Sequence, residues 1–308
     1  ELAASASPEV TTYDANALNQ HTEIDPDGTP LYSPSHDVDG NLTNDGKGNA
    51  LTWDGDSRRE GSAAKDGNAA RRVPMAAGSG RHQHRLIEWH PAVPVAGDKR
   101  IVNEYDGQSR RVRKQVYEWT TATGWVEQSD EAWIYDNWNP VAKYTVLLSS
   151  SLSLHTSYTW GLDLSGSQQG AGGVGGLLGT DDGTVEARFF YDANGNVSEV
   201  LNSTGTTVAH YEYDPFGNVT ASSGSYASTN LYRFSTKPVD VENGFYYYGY
   251  RFYDPETGRW PNRDPIEEQG GVNLYGFVAN SAIAVIDYLG LKVRMTVEGY
   301  SSRPDAIS

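Results

Sequence analysis

Tyr191-Asp192-Ala193-Asn194-Gly195-Asn196-Val197 and Tyr213-Asp214-Pro215-Phe216-Gly217-Asn218-Val219 are one unit written twice, 22 residues apart. Ahead of the first copy, Val185, Ala187, Phe189 and Tyr191 alternate with Glu186 and Arg188, the period of a strand with one apolar face. Ahead of the second, Ala209, Tyr211 and Tyr213 share a face that Glu212 does not. The tyrosine therefore ends each strand facing inward and the aspartate opens the turn. The glycine supplies the positive φ of a tight hairpin. A hairpin of this kind cannot bury its own face, so the units must stack into one continuous sheet.

Tyr-Asp recurs at Tyr13-Asp14, Tyr105-Asp106, Tyr135-Asp136 and Tyr253-Asp254, with His36-Asp37 and Trp53-Asp54 as degenerate copies. Helical periodicity is weak throughout. The one helical candidate, Asn273 to Asp287, is rich in Gly, Asn and Val. The expected class is all-β.

Composition fits a wall made of rings. Only 37% of the 308 residues are hydrophobic and the mean hydropathy is −0.59, yet there are 20 Tyr and 8 Trp. Each ring buries a large area and leaves a polar tip that needs a partner. The net charge of −16 argues against recognition of nucleic acid through its phosphates. Arg110, Arg111, Arg113 and Lys114 form one basic run, read as the solvated face of a strand. With no cysteine there is neither a disulfide nor a thiolate metal site. No apolar run approaches a membrane span. The chain opens at Glu1 without a signal-like segment, so it reads as a fragment or processed product of a longer polypeptide.

The last quarter adds a series of fixed points. Asn230-Leu231-Tyr232-Arg233-Phe234 is followed by a Tyr/Gly block from Phe245 to Asp254, then Gly258-Arg259-Trp260 and Arg263-Asp264-Pro265-Ile266. Gly270-Gly271-Val272-Asn273-Leu274-Tyr275 and Asp287-Tyr288-Leu289-Gly290-Leu291 close the series. This order resembles the core that closes bacterial Rhs/YD-repeat proteins, the family that includes the toxin-complex shells and is related to the teneurins. The resemblance implies YD-repeat β-hairpins wound into a spiralling sheet, or shell, closed by a plug. On that reading residues 1–54 are degenerate repeat strands, 55–90 an irregular or flexible insertion and 91–229 repeat hairpins. Residues 230–291 are then the core, and 292–308 a short tail.

In self-cleaving relatives two aspartates at these motif positions form an aspartic-protease-like pair. Carried across, the pair is Asp264 and Asp287, 23 residues apart, and the scissile bond is Leu291–Lys292. Two close carboxylates share a proton, so one activates water while the other acts as acid. Arg263 is expected to hold one of them ionised, and Gly290 to let the backbone pass close by. Tyr288 stands where the commoner motif has proline, and Glu267 and Glu268 add negative charge nearby. The alternative is that both aspartates merely cap turns.

Other motifs have simpler readings. Gly170-Ala171-Gly172-Gly173-Val174-Gly175 matches the dinucleotide fingerprint by letter, but a strand pattern rather than a helix follows it. Close backbone packing is the expected use. Asp192-Ala193-Asn194-Gly195-Asn196 and Asp37-Val38-Asp39-Gly40-Asn41 lack the glycine position and the distal carboxylate of a calcium loop, so they read as turn caps. The seven histidines show no zinc spacing, and no Gly-x-Ser-x-Gly elbow is present. No cofactor and no metal are expected.

Three functions remain: a structural shell around a C-terminal cargo, that shell with a single-turnover aspartic autoprotease, or a cell-surface adhesion module without catalysis. In the third, Trp125, Trp138 and Trp160 stack on glycans. The expected partners are the chain's own C-terminal segment or an enclosed cargo, with other shell segments or surface glycans as alternatives. Secretion, surface display or delivery by a secretion system is the expected route, and no turnover of an external substrate is expected.

Overall fold

The computed structural model describes residues 11–26, 32–54, 84–147 and 151–295. A hairpin of β1 (Thr11–Ala15) and β2 (His21–Pro26) comes first. One antiparallel sheet of fourteen strands follows, in strict chain order. It runs through β3 (Ser35–His36), β4 (Leu42–Asn44), β5 (Asn49–Trp53), β6 (Leu86–Pro91), β7 (Lys99–Tyr105), β8 (Arg111–Thr120) and β9 (Gly124–Asp136). It continues through β10 (Asn139–Val146), β11 (Leu152–Trp160), β12 (Leu177–Asp181), β13 (Glu186–Tyr191), β14 (Val197–Leu201), β15 (Thr207–Tyr213) and β16 (Val219–Ser223). Within the expected insertion 55–90, β6 is a regular strand; residues 55–83 lie outside the described residues.

The repeat works as its alternation predicts. Ala187 and Phe189 are buried while Glu186, Arg188 and Phe190 face outward. The ring that ends each strand then reaches back across the hairpin to a backbone carbonyl. Tyr105 donates to Leu86 O (2.7 Å), Tyr135 to Arg111 O (2.7 Å), Tyr213 to Val197 O (2.8 Å) and Tyr191 to Leu177 O. The degenerate copy keeps the bond with an indole: Trp53 Nε1 donates to Leu42 O (2.6 Å). Trp160, which no Asp follows, does the same to Pro140 O (2.7 Å). Each inward ring thus satisfies its own polar tip. The aspartate accepts the turn's amides. Asp214 Oδ1 takes Phe216 N (2.8 Å) and Asn218 N (3.0 Å), while its Oδ2 takes Asn218 Nδ2 (2.7 Å). Asp192, Asp37 and Asp45 repeat that pattern. Gly217 sits at φ +92° with Phe234 against it, so a side chain there meets both strain and a ring.

After β16 the chain turns onto the inner face of the sheet as a plug. Its strands are short: β17 (Tyr246–Tyr247) pairs with β18 (Phe252–Tyr253), and β19 (Val285–Tyr288) with β20 (Lys292–Met295). Phe234, Tyr248, Tyr253, Trp260 and Phe277 form an aromatic core, with Tyr253 and Phe277 centroids 4.0 Å apart. The segment Pro255–Pro261 touches both ends of the sheet: Leu42 N donates to Pro261 O (2.9 Å) and Asn218 Nδ2 to Pro255 O (2.9 Å). The sheet therefore curls round the plug, and the plug bridges its seam.

The helical candidate falls away, as its composition implies, and one expectation is corrected. The stretch Asn273 to Asp287 is not helical; it holds one 3₁₀ turn, Val278–Asn280, before β19. The basic run is not a solvated face. Arg110 pairs with Asp106 and Arg113 with Asp130, but Arg111 and Lys114 are buried and bind the plug's Asp240 (2.6 and 3.0 Å). A β-bulge between Arg111 and Arg113 breaks the alternation of β8 and buries Arg111 along with Lys114 and Val116, where only a carboxylate makes its burial tolerable. Burial alone lowers the Arg111 pKa and raises that of Asp240, but their mutual attraction reverses both.

Candidate active site

The plug brings Asp264 and Asp287 together around one guanidinium. That guanidinium belongs to Arg251, not Arg263. Arg251 Nη2 pairs with Asp264 Oδ2 at 2.8 Å, its Nε donates to Gly290 O, and its Nη1 donates to Leu274 O (3.2 Å). The cation lies 4.2 Å from the Trp260 ring centroid and is buried. Arg263, by contrast, lies beside Gly40 and Tyr275, where its aliphatic chain packs on the β3–β4 turn. Position 251 carries the lone cation in a run of aromatic residues, and a buried arginine needs a carboxylate partner. That much is local; which of the two arginines turns toward the acids is not.

Asp287 is the penultimate residue of β19. Its Oδ1 accepts Leu291 N (3.0 Å) and Gly290 N, so the carboxylate grips the turn from within. Leu289 and Gly290 both have positive φ (58° and 78°), and Leu291 N also donates to Tyr288 O (3.1 Å). A left-handed leucine is uncommon outside strained sites. Tyr288 serves this turn through its carbonyl, which a proline would equally provide, so the departure from the commoner motif leaves the grip of Asp287 intact. Gly270 completes the site. A Cβ there would collide with the Asp264 carboxylate and lie 2.9 Å from Leu291 O, so the absent side chain leaves both oxygens in one small space.

The electrostatics of the two acids differ. Burial pushes Asp287 up to about 6, Arg251 opposes the rise, and the negative charge of Asp264 adds to it. Burial also raises Asp264, against the pull of its ion pair with Arg251 and the amide of Ile266. Burial lowers Arg251 itself, against the pull of both acids. Glu267 and Glu268 start the 3₁₀ turn Glu267–Gln269, in which no residue is buried. Lys292 opens β20 directly after the turn.

The remaining candidates fall elsewhere. Trp138 packs on Tyr250 (4.5 Å) and Trp160 on Tyr232 (6.1 Å), so these two rings join wall to plug. Trp125 is half-exposed against Trp119 (5.2 Å) at the far end of the β8–β9 hairpin. The Gly170–Gly175 stretch is a run of turns that leads into β12. Among the described residues no group of three or more His, Asp or Glu is placed to hold a metal ion, and no helix is long and apolar enough to cross a membrane.

Comparison with known proteins gives the same picture. The RHS Repeat family model matches residues 191–228, the doubled unit itself. Toxin subunit YenC1 of Yersinia entomophaga is 42% identical over 71 residues, 23% of this chain and 7% of that protein. Toxin protein Tse5 of Pseudomonas aeruginosa is 39% identical over 67 residues, 22% of this chain and 5% of that protein. These matches span less than a tenth of either relative's length. Among solved structures, the TcdB2-TccC3-Cdc42 complex superposes on 91% of this chain with a TM-score of 0.59 at 19% identity, covering 13% of that chain. At that identity the likeness concerns the fold. The tyrosine-stapled repeats, the curled fourteen-stranded sheet and these relatives agree: the chain carries the RHS Repeat at 191–228 and shares its fold with the solved toxin-complex structures.

Proposed function

We propose that this chain is the closing part of a Rhs shell and that it cuts itself once, at the Leu291–Lys292 bond. The observation that carries this reading is the convergence of Asp264, Asp287 and the Leu291 backbone on Arg251 and Gly270. Arg251 favours the charge on Asp264 and burial favours the proton on Asp287. Asp264 then takes a proton from a water that attacks the Leu291 carbonyl carbon. Asp287 gives its proton to the carbonyl oxygen, forming a gem-diol. As the C–N bond breaks, Asp264 passes the water's proton to the leaving Lys292 amine and one gem-diol hydroxyl returns a proton to Asp287, leaving the Leu291 carboxylic acid. The product end stays gripped in the plug, so turnover stops at one. The cut would separate the shell from whatever follows Leu291, an enclosed cargo in the longer protein, exported together with the shell.

The test is the intact mass of the purified chain under denaturing conditions, beside Asp264→Asn and Asp287→Asn. Loss of Lys292–Ser308 in the wild type and in neither variant is the expected result. A wild type that stays whole after prolonged incubation between pH 4 and 8 overturns the reading and leaves a structural module.

A further inference from the structure

The glycine-rich stretch has no part in the chemistry so far described, yet it lies directly beneath the scissile turn. A Cβ on Gly172 would lie 3.2 Å from Leu289 N and 3.3 Å from Leu289 Cγ, so this glycine packs against the turn's backbone. Ala171 and Val174 pack against Ile286 of β19. The loop is itself held from two sides. Asp163 accepts Ala171 N (2.7 Å) and Gly173 N (3.1 Å) through one carboxylate oxygen. From the plug, Lys237 donates its ammonium to Gly172 O (2.5 Å). Lys237 is buried, and it sits 5.5 Å from the Tyr248 ring centroid in a cavity of about 50 Å³ that Leu289 also lines.

A buried ammonium is costly, and nothing in the wall or plug packing alone calls for one. What faces it is acidic: Asp287 from β19 and Asp163 from the loop, whose upward pull only partly offsets the burial that leaves the Lys237 pKa at about 8. Tyr248 faces it from the plug, and Asp240, paired with Arg111 and Lys114, lines the same cavity. Asp287 is in turn faced by Arg251, Asp264 and Tyr248. Lys237 therefore touches the floor under the turn and projects its charge onto one acid of the pair.

We propose that Lys237 is a positioning residue for self-cleavage: by holding Gly172 under Leu289 and placing a cation near Asp287, it fixes the turn and sets the ionisation of the acid. The proposal rests on the self-cleavage reading. Uncut precursor recovered in denaturant is refolded at a series of pH values and followed by intact mass, for wild type, Lys237→Met, Lys237→Arg and Gly172→Ala. Lys237→Met is expected to cut at least tenfold more slowly, with the alkaline limb of its profile displaced to higher pH, because a lost cation makes Asp287 hold its proton more tightly. Lys237→Arg is expected to keep the limb in place. Gly172→Ala is expected to slow cutting without moving it. A Lys237→Met profile that coincides with the wild type, or that is slowed with an unmoved limb, overturns the proposal.

A second readout separates this failure from failure of self-cleavage itself. In an Asp264→Asn background, which keeps the turn whole, hydrogen exchange of the peptide spanning Leu289–Leu291 is compared with and without Lys237→Met. Faster exchange in the double variant supports the positioning role even where no chain is ever cut. Equal exchange overturns it.

Discussion

Wall and plug both bury aromatic rings, but they arrange them differently. In the wall each ring stands one hairpin from the next and donates its polar tip to a carbonyl of the strand before it, as Tyr105, Tyr135 and Tyr213 do. In the plug the rings pack on one another: Tyr248, Tyr253, Trp260 and Phe277 are mutual neighbours, all nearly inaccessible to solvent. A wall built from self-sufficient units tolerates variation one unit at a time. A plug whose rings share every contact does not, and that rigidity is what a reaction needs to hold two carboxylates and a peptide in register. The two candidate acids sit where the packing is collective.

The strongest test of this contrast is the joint between the two regions. Asp240→Asn leaves Arg111 and Lys114 buried with their shared partner neutralised, and Glu242, 2.6 Å from Lys114, reaches only one of them. Removing one member of a buried ionic network typically costs about 3–5 kcal/mol. The expected result in urea unfolding is a loss of unfolding free energy of that size, with a separate early transition as the plug leaves the wall. A loss below about 1 kcal/mol, with one unchanged transition, would mean that apolar contacts such as Phe245 and Tyr247 against Leu51, Trp89 and Ile101 hold the plug unaided.

The next effect belongs to the active site and runs against intuition. Asp287 titrates near 6 in the fold against 3.8 as a free side chain, so the folded state prefers its protonated form. The associated stability is present below about pH 4 and is lost as pH rises through about 6. At pH 7 the ionised acid costs up to about 3 kcal/mol. Asp287→Asn, neutral at every pH, should lessen the fall in stability between pH 4 and 7, leaving the share that belongs to Asp254, and be the more stable protein at pH 7. The readout is the slope of unfolding free energy against pH. An unchanged slope in the variant would assign the titration to another group, Asp254 being the first alternative, since burial raises it to about 6 as well.

The same contrast explains what the chain revealed in advance. The wall was legible because each unit is local: the alternation before Tyr191 and Tyr213, the aspartate cap and the glycine turn all lie within a few residues. The meeting of Asp264 and Asp287 about one guanidinium was legible through resemblance. Arg251 in place of Arg263 was not, because that choice depends on which arginine the plug turns inward. Arg251 follows a Gly249–Tyr250 turn that packs on Trp138, over a hundred residues away in the sequence. The burial of Arg111 and Lys114 is equally non-local, since the acid that makes it tolerable enters from the plug. The contact of the glycine loop with the turn is non-local too, since Gly172 meets Leu289 more than a hundred residues further along the chain.

The smallest effect tests whether the wall's units are independent. Tyr105→Phe and Tyr213→Phe each remove one hydroxyl and leave the Leu86 or Val197 carbonyl without that donor, at about 1 kcal/mol apiece. These tyrosines end β7 and β15, with seven strands of sheet between them. Distant, unlinked sites add to within about 0.5 kcal/mol, so the double variant should lose the sum of the two. Trp260→Phe with Phe277→Leu, in direct contact at 5.5 Å between centroids, should deviate from its sum by more than that margin. Strong coupling between the two wall tyrosines would mean that strain travels along the curled sheet. The plug, which bridges both ends of that sheet through Pro255 and Pro261, would then be the element that transmits it.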